Sequence, residues 1–274
     1  MKKNIIITII ISLILTVNIS AQKKSKLPVE IQKLYSQMVY IKGGSFNLYQ
    51  EWIDDYKEGG IPQKLKSFYA QKYEVSRNLW FYVMEQNNVW WEKEKDGTMD
   101  MTKPANGMSW YEAIDFCNKL SKKAGLTPCY DTSNHEDIIF NEKADGFRLP
   151  TEAEWEFLAR GGTKSRHSAY AGNSNTLEDI AWTSCGYYKA SQLMNSGLLK
   201  PNELGLYDLA GNVWEYCWDK HSEYPENRVI RGGAWDTSDS YAMLVSNHFY
   251  HINPDEAIPA AGLRLVKNAG STVN

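Results

Sequence analysis

Gly205-Leu206-Tyr207-Asp208-Leu209-Ala210-Gly211-Asn212-Val213-Trp214-Glu215-Tyr216, followed after a polar interval by Arg228-Val229-Ile230-Arg231-Gly232-Gly233-Ala234-Trp235, is the stretch that decides the fold. Residues 213–218 and 228–230 read as short strands, and residues 262–266 as a third. Upstream, residues 163–204 are rich in Gly, Ser, Asn and Tyr, and only Ile180-Ala181-Trp182 reads as a short strand there. Helices are few and announced by their caps. Ser109-Trp110-Tyr111-Glu112 and Thr151-Glu152-Ala153-Glu154 both have the spacing of a capping box, and Gly125 and Gly161-Gly162 stop the helices that follow. Ser76 caps another helix with Trp80, Val83 and Met84 on one face, and residues 30–36 suit a short helix. Met38-Val39-Tyr40-Ile41 and residues 67–75 read as strands, with a turn at Gly43-Gly44. The pattern is an irregular α+β domain of short strands, few helices and dominant loops. No internal repeat, coiled coil or low-complexity tract interrupts it.

The chain begins with Lys2 and Lys3, an apolar run over residues 5–17, and Ile19-Ser20-Ala21. That plan predicts a secretory signal peptide, 1–21, with a lead-in at 22–37, one domain at 38–268 and a tail at 269–274. The apolar run is too short for an ordinary span, so no membrane span is expected once the signal is removed; the alternative is an uncleaved anchor, against which the polar residues Lys23 to Lys26 stand. Localisation is expected to be periplasmic or secreted. Losing Lys2 and Lys3 leaves 28 basic residues against 33 acidic ones. With no basic stripe, nucleic acid is excluded as a partner. Ten Trp residues can fill a large core.

Cys117, Cys129, Cys185 and Cys217 allow three disulfide pairings. Cys117 and Cys129 could close a short loop; buried free thiols are the alternative. There is no Cys-x-x-Cys, and the five His residues are scattered, with His248 and His251 lacking an evident third ligand.

Ordered motifs along the whole mature domain carry a family likeness. They are Met38-Val39-Tyr40-Ile41-Lys42-Gly43-Gly44-Ser45-Phe46, Phe68-Tyr69, Tyr73-Glu74-Val75-Ser76, Met108-Ser109-Trp110-Tyr111-Glu112-Ala113, Gly146-Phe147-Arg148-Leu149-Pro150-Thr151-Glu152-Ala153-Glu154-Trp155-Glu156, the two stretches quoted first, and Gly262-Leu263-Arg264-Leu265. The chain resembles the sulfatase-modifying-factor family, best known for the formylglycine-generating enzyme. The resemblance implies a loop-rich α+β fold related to C-type lectins.

It also implies a test of chemistry. The family's oxidases hold Cu(I) between two thiolates five residues apart, just after the Gly-Gly-Ser-aromatic motif. Here the matched positions are Thr237 and Ala242. A hydroxyl suits a soft ion poorly and a methyl group has no donor, so copper is not expected and catalytic residues are expected to be absent. A family branch using His-bound iron needs a helical domain that this chain has no room for. The family's structural calcium site carries over as the Asp208 and Glu215 side chains with the Gly211 and Val213 carbonyls, hard oxygen donors that suit Ca²⁺. The alternative is that Asp208 caps a turn while Glu215 pairs with Arg148 or Arg264. A second calcium loop finds no match over residues 173–200.

The resulting expectation is a non-catalytic binding or envelope-assembly module with a cleft shaped by residues 236–261, taking a peptide, a glycan or an envelope protein. The rival is a formylglycine-type cysteine oxidase with an altered site. A third reading gives Asp236, Asp239 and His248 acid–base roles. Arg148, Glu154, Glu156 and Arg160 are expected to be structural ion pairs, and Trp182, Trp214, Trp218 and Trp235 core and pocket walls. Trp90 and Trp91 are adjacent in a polar loop and cannot both point inward on a strand, so one of them is a candidate partner contact.

Overall fold

The structure is a computed structural model that describes residues 27–48, 60–165, 168–172, 174–185, 192–247 and 250–270. The expected signal peptide, Asn173 and His248 lie outside the described residues. The chain divides into two compact units, Met1–Gln37 and Met38–Asn274. In the first, helix α1 (Val29–Gln37) is described, with Ile31 and Leu34 buried.

The second unit opens with β1 (Met38–Ile41), β2 (Ser45–Leu48), β3 (Ile61–Lys64) and β4 (Phe68–Gln71). Helices α2 (Arg77–Met84) and α3 (Trp110–Lys123) follow, then β5 (Tyr130–Asp131), β6 (Ile139–Phe140), β7 (Phe147–Arg148) and α4 (Glu152–Ala159). The chain ends with β8 (Trp214–Lys220), β9 (Arg228–Arg231), β10 (His251–Ile252), β11 (Ala261–Gly262) and β12 (Val266–Asn268). One sheet has the order β1-β4-β12-β7 and is antiparallel throughout. The other has the order β10-β9-β8-β11, with only β11 running parallel to its neighbour. Pairs β2–β3 and β5–β6 form separate small sheets.

The caps lie where the sequence places them. Ser76 Oγ accepts from Leu79 N. Ser109 Oγ accepts from Glu112 N while Glu112 Oε2 accepts from Ser109 N at 2.8 Å. Thr151 and Glu154 repeat the box at the start of α4. Reciprocal bonds of this kind satisfy donors that a helix end leaves free. Trp80 on α2 stacks on Phe116 of α3 at 5.0 Å between ring centroids. Trp155, Phe157 and Leu158 of α4 pack with Ile41, Phe68, Leu209 and Val266 into the main core.

Three strand expectations need correction. The strand expected over residues 67–75 runs only over Phe68–Gln71. Beyond it, the Lys72 carbonyl accepts from Tyr207 N and from the Arg264 guanidinium instead of from a neighbouring strand. The strand expected at 262–266 is split. Gly262 pairs with Glu215 in one sheet, Val266 pairs with Ala70 in the other, and Leu263-Arg264-Leu265 crosses between them. Residues 180–182 form no strand; Trp182 makes an isolated bridge to Gly211, because Ile180 and Ala181 are turned back onto Leu177.

Candidate functional site: a buried turn and an open loop

Residues 208–215 form a turn that is tied down from all sides. Asn212, fully buried with φ of 64°, is its hub. Its N–H donates to Trp182 O, its carbonyl accepts from Trp235 N, its Oδ1 accepts from Met194 N, and its Nδ2 donates to Glu74 Oε2 at 2.9 Å. The short amide side chain tolerates the left-handed backbone and bonds locally, which is why Asn suits this position. Gly211, at φ of 76°, has no room for a side chain: a Cβ there would lie 2.2 Å from Trp182 O.

Glu215 lies between the sheets. Its carboxylate accepts from Arg264 Nη2 at 2.6 Å, from Arg264 Nε at 3.1 Å and from Trp155 Nε1 at 2.8 Å. Arg264 is fully buried and also donates to the carbonyls of Gln71, Lys72 and Tyr207. Of the two roles weighed for Glu215, pairing with Arg264 is the one the geometry displays. Asp208 Oδ2 accepts from Gly197 N at 2.6 Å, whereas its buried Oδ1 has no hydrogen-bond partner. Burial pushes the Asp208 carboxyl up to about 6.

Glu74 completes the cluster, and the residue reading did not nominate it. Its oxygens accept from Asn212 Nδ2, Ser196 Oγ and Val213 N. Burial, and then the charge of Asp208, raise its pKa well above the ordinary carboxylate value. Of the three carboxylates, Glu215 alone pairs with the Arg264 guanidinium; against the pull of burial, the charge of Glu215 and then those of Glu74 and Asp208 raise the pKa of that arginine. The clue in the sequence is the quoted Tyr73-Glu74-Val75-Ser76 motif, but the partners of Glu74 lie 122, 138 and 139 positions away.

The orphan Oδ1 of Asp208 fits a cation as an unused oxygen donor. The engagement of Glu215 fits one less well, because calcium would have to share that carboxylate with Arg264. Among the described residues no group of three or more His, Cys, Asp or Glu side chains is arranged to hold a metal.

The loop after Gly232-Gly233 is built differently. Thr237 Oγ1 accepts from Ala234 N at 2.9 Å, closing a small turn, and the Thr237 carbonyl accepts from Thr183 Oγ1 at 2.6 Å. Asp239 Oδ1 accepts from Tyr241 N at the start of a 3-10 helix, Ser240–Met243, in which Ala242 is buried. Neither matched copper position presents a soft donor, so the residues present do not fit copper. Asp236 and Asp239 have no ion-pair partner among the described residues. Partial burial raises the Asp236 carboxyl. Trp214 packs on Tyr250 at 4.7 Å between ring centroids, and Tyr241 is exposed.

Ion pairs explain the motif charges. Arg148 makes a fork of two bonds to Glu154 at 2.6 and 2.7 Å. Arg231 joins Glu152 and Glu156, and Arg160 also binds Glu156. The four cysteines are unbridged in this structure, with Cys117, Cys129 and Cys217 buried and Cys185 half-buried. Burial pushes the Cys117 thiol up, and the neighbouring Cys129 adds to the shift. Of Trp90 and Trp91, the second is buried, with Nε1 donating to Asn106 O, and the first is exposed.

Two four-stranded sheets, two two-stranded ones, few helices and long loops define an irregular α+β fold related to C-type lectins. Residues 24–269 match the Sulfatase-modifying factor enzyme 1-like domain, and the chain belongs to that family as a divergent member without the two copper-binding cysteines. Chaperone protein LppX of Paenibacillus barcinonensis is 34% identical over 267 residues, covering 84% of this chain and 89% of the relative. Inactive C-alpha-formylglycine-generating enzyme 2 of Bos taurus is 33% identical over 142 residues, covering 46% of this chain and 45% of the relative. Among solved structures, Treponema denticola variable protein 1 superposes with a TM-score of 0.70 at 30% identity, covering 84% of this chain and 94% of that one. Among the described residues no helix is long and apolar enough to cross a membrane.

Proposed function

We propose that this protein is an exported, non-catalytic binding or envelope-assembly module that uses the family cleft to hold a peptide, a glycan or an envelope protein. The observation that carries the reading is the state of the two copper positions: the Thr237 hydroxyl is spent on a turn, and Ala242 is a buried methyl group. A relative named as a chaperone and another named as inactive support a role in binding other proteins. The side chains of Asp236, Asp239, Tyr241 and Tyr250 are the surface such a cleft would offer.

The test is to mix the protein with Cu(I), oxygen and a Cys-x-Pro-x-Arg peptide and to follow the peptide cysteine by mass spectrometry. A Thr237→Cys, Ala242→Cys double variant runs beside it. No conversion by the unmodified protein is the expected result. Conversion by it would overturn the binding reading in favour of an oxidase with an altered site. Conversion only by the double variant would establish a retained peptide cleft.

A structural calcium ion belongs to the same reading, held by Asp208 with the Gly211 and Val213 carbonyls and by Glu215 shared with Arg264. Its support is the unpartnered Asp208 Oδ1. Calcium should raise the melting temperature of the protein but not of Asp208→Asn; equal shifts, or none, would remove the site.

A further inference from the structure

Five arginines are buried among the described residues, and they are not alike. Arg148, Arg231 and Arg264 each bind a carboxylate at 2.6 Å. Arg77 makes no such pair, but its two terminal nitrogens donate to Asp100 O and Asn106 Oδ1. Arg228 has less than either. One bond, Nη1 to Trp218 O at 2.9 Å, holds its head, and among the described residues no carboxylate lies within ion-pair distance. Asp219, next to Trp218 in the chain, accepts from Glu152 N instead. Arg77 Nε and Arg231 Nε are sealed in without a partner, whereas the unused N–H groups of Arg228 are not sealed and open to solvent. Burial pulls the Arg228 pKa below the ordinary arginine value, a penalty that a bound anion relieves.

The guanidinium is stacked, not loose. Its carbon lies 3.8 Å from the ring centre of Trp110 and 5.2 Å from that of Trp218, contacts that the planar, weakly hydrated head of Arg makes well. Trp110 is itself fixed, with Nε1 donating to Cys217 O. Tyr111 stands edge-on to Trp110, ring centres 5.4 Å apart, and packs on His135 at 3.9 Å. The segment at β10 ties these elements together: Ile252 pairs with Arg228, and Pro254 O accepts from the N–H groups of Trp110 and Tyr111. Trp218 in turn stacks on Tyr130 and meets Phe140. Tyr111, Phe140 and Trp218 are half-buried and His135 is exposed, so this aromatic wall reaches the surface. The Tyr111 hydroxyl makes no hydrogen bond among the described residues and is not sealed in. The loop that carries His135 also carries Asp131, Glu136 and Asp137, all exposed, which disfavours a ligand with several negative charges.

We propose that Arg228 and the Tyr111 hydroxyl form a receptor for a single carboxylate whose planar or apolar body packs against Trp218 and Phe140. A guanidinium offers parallel N–H groups that match the two oxygens of a carboxylate, and here the fork is already oriented by Trp110. The site uses none of the side chains assigned to the cleft.

The test titrates the full chain, ¹⁵N-labelled, with benzoate, with its neutral counterpart benzamide, and with inorganic phosphate. Benzoate is expected to give a saturable shift of the Trp218 indole N–H signal and to leave that of Trp182 in place. Arg228→Lys keeps the charge and loses the fork, so binding should weaken about tenfold or more. Tyr111→Phe keeps the ring on Trp110 and His135, so it keeps the fold and should weaken binding several-fold even where the Arg228 variant fails to fold. No saturable shift by about 10 mM benzoate would overturn the proposal. So would equal binding of benzamide or of phosphate, or unchanged binding in Tyr111→Phe. The copper test concerns Thr237 and Ala242, so the two readings fail separately.

Discussion

Residues 208–215 and residues 235–247 are both irregular, both follow glycines, and touch each other where Trp235 N donates to Asn212 O. In the first, Asn212 alone makes four bonds, and Glu215 is closed in by Arg264 and Trp155. In the second, Asp236, Asp239 and Tyr241 reach solvent, and the turns are closed by one hydroxyl and one carboxylate. The difference separates two tasks. The turn cannot vary without unpairing buried charge, whereas the loop is anchored by Met243 and Val245 in the core and leaves its exposed side chains, Asp236, Asp239 and Tyr241, free to change at little cost to stability. The replacement of both copper ligands on the loop, beside an intact turn, is what that division permits.

The largest effect should come from the turn. Arg264→Met would leave the Glu215 carboxylate without its counter-charge and remove the guanidinium bonds to the carbonyls of Gln71, Lys72 and Tyr207, and a broken buried pair costs about 3–5 kcal/mol. Urea unfolding should display the loss; a change below about 1 kcal/mol would mean that Arg264 does not join the sheets. Gly211→Ala is next, at about 2–4 kcal/mol, from the left-handed backbone and the collision with Trp182 O.

A pH effect of opposite sign to the usual carboxylate follows. Asp219 Oδ2 accepts from Glu152 N at the head of α4, and burial pushes its carboxyl up to about 6. A folded pKa above the unfolded value near 3.9 means that the proton favours the fold. Stability contributed by Asp219 should therefore rise as pH falls from about 6 to 4, and Asp208 adds in the same sense. Asp219→Asn should flatten that part of the profile measured by thermal melts; an unchanged slope would count against the assignment.

The smallest effect belongs to the loop. Asp236→Asn and Tyr241→Ala should each move stability by less than about 0.5 kcal/mol. A loss comparable to that of Gly211→Ala would erase the distinction between the two regions.

What was legible in the sequence follows the same line. The capping boxes at Ser109 and Thr151 were readable because both partners lie within one helical turn. The family motifs placed Asp208, Glu215 and the two empty copper positions. Glu74 was missed because its partner Asn212 is 138 residues away, and a residue-by-residue reading registers no such distance. The strand at 262–266 was drawn as one piece because its apolar alternation does not show that Arg264 divides it between two sheets.

Strand β12 lies between β4 and β7, so the first sheet has no centre until Val266–Asn268 is in place. The strand that begins at Phe68 and the one that begins at Phe147 have no shared partner until that stretch pairs with both. A chain without Val266–Asn268 would hold β1 and β4 on one side and β7 on the other with no strand paired to both, and Arg264, whose guanidinium binds Glu215 of one sheet and the Gln71 carbonyl of the other, stands two residues before that keystone.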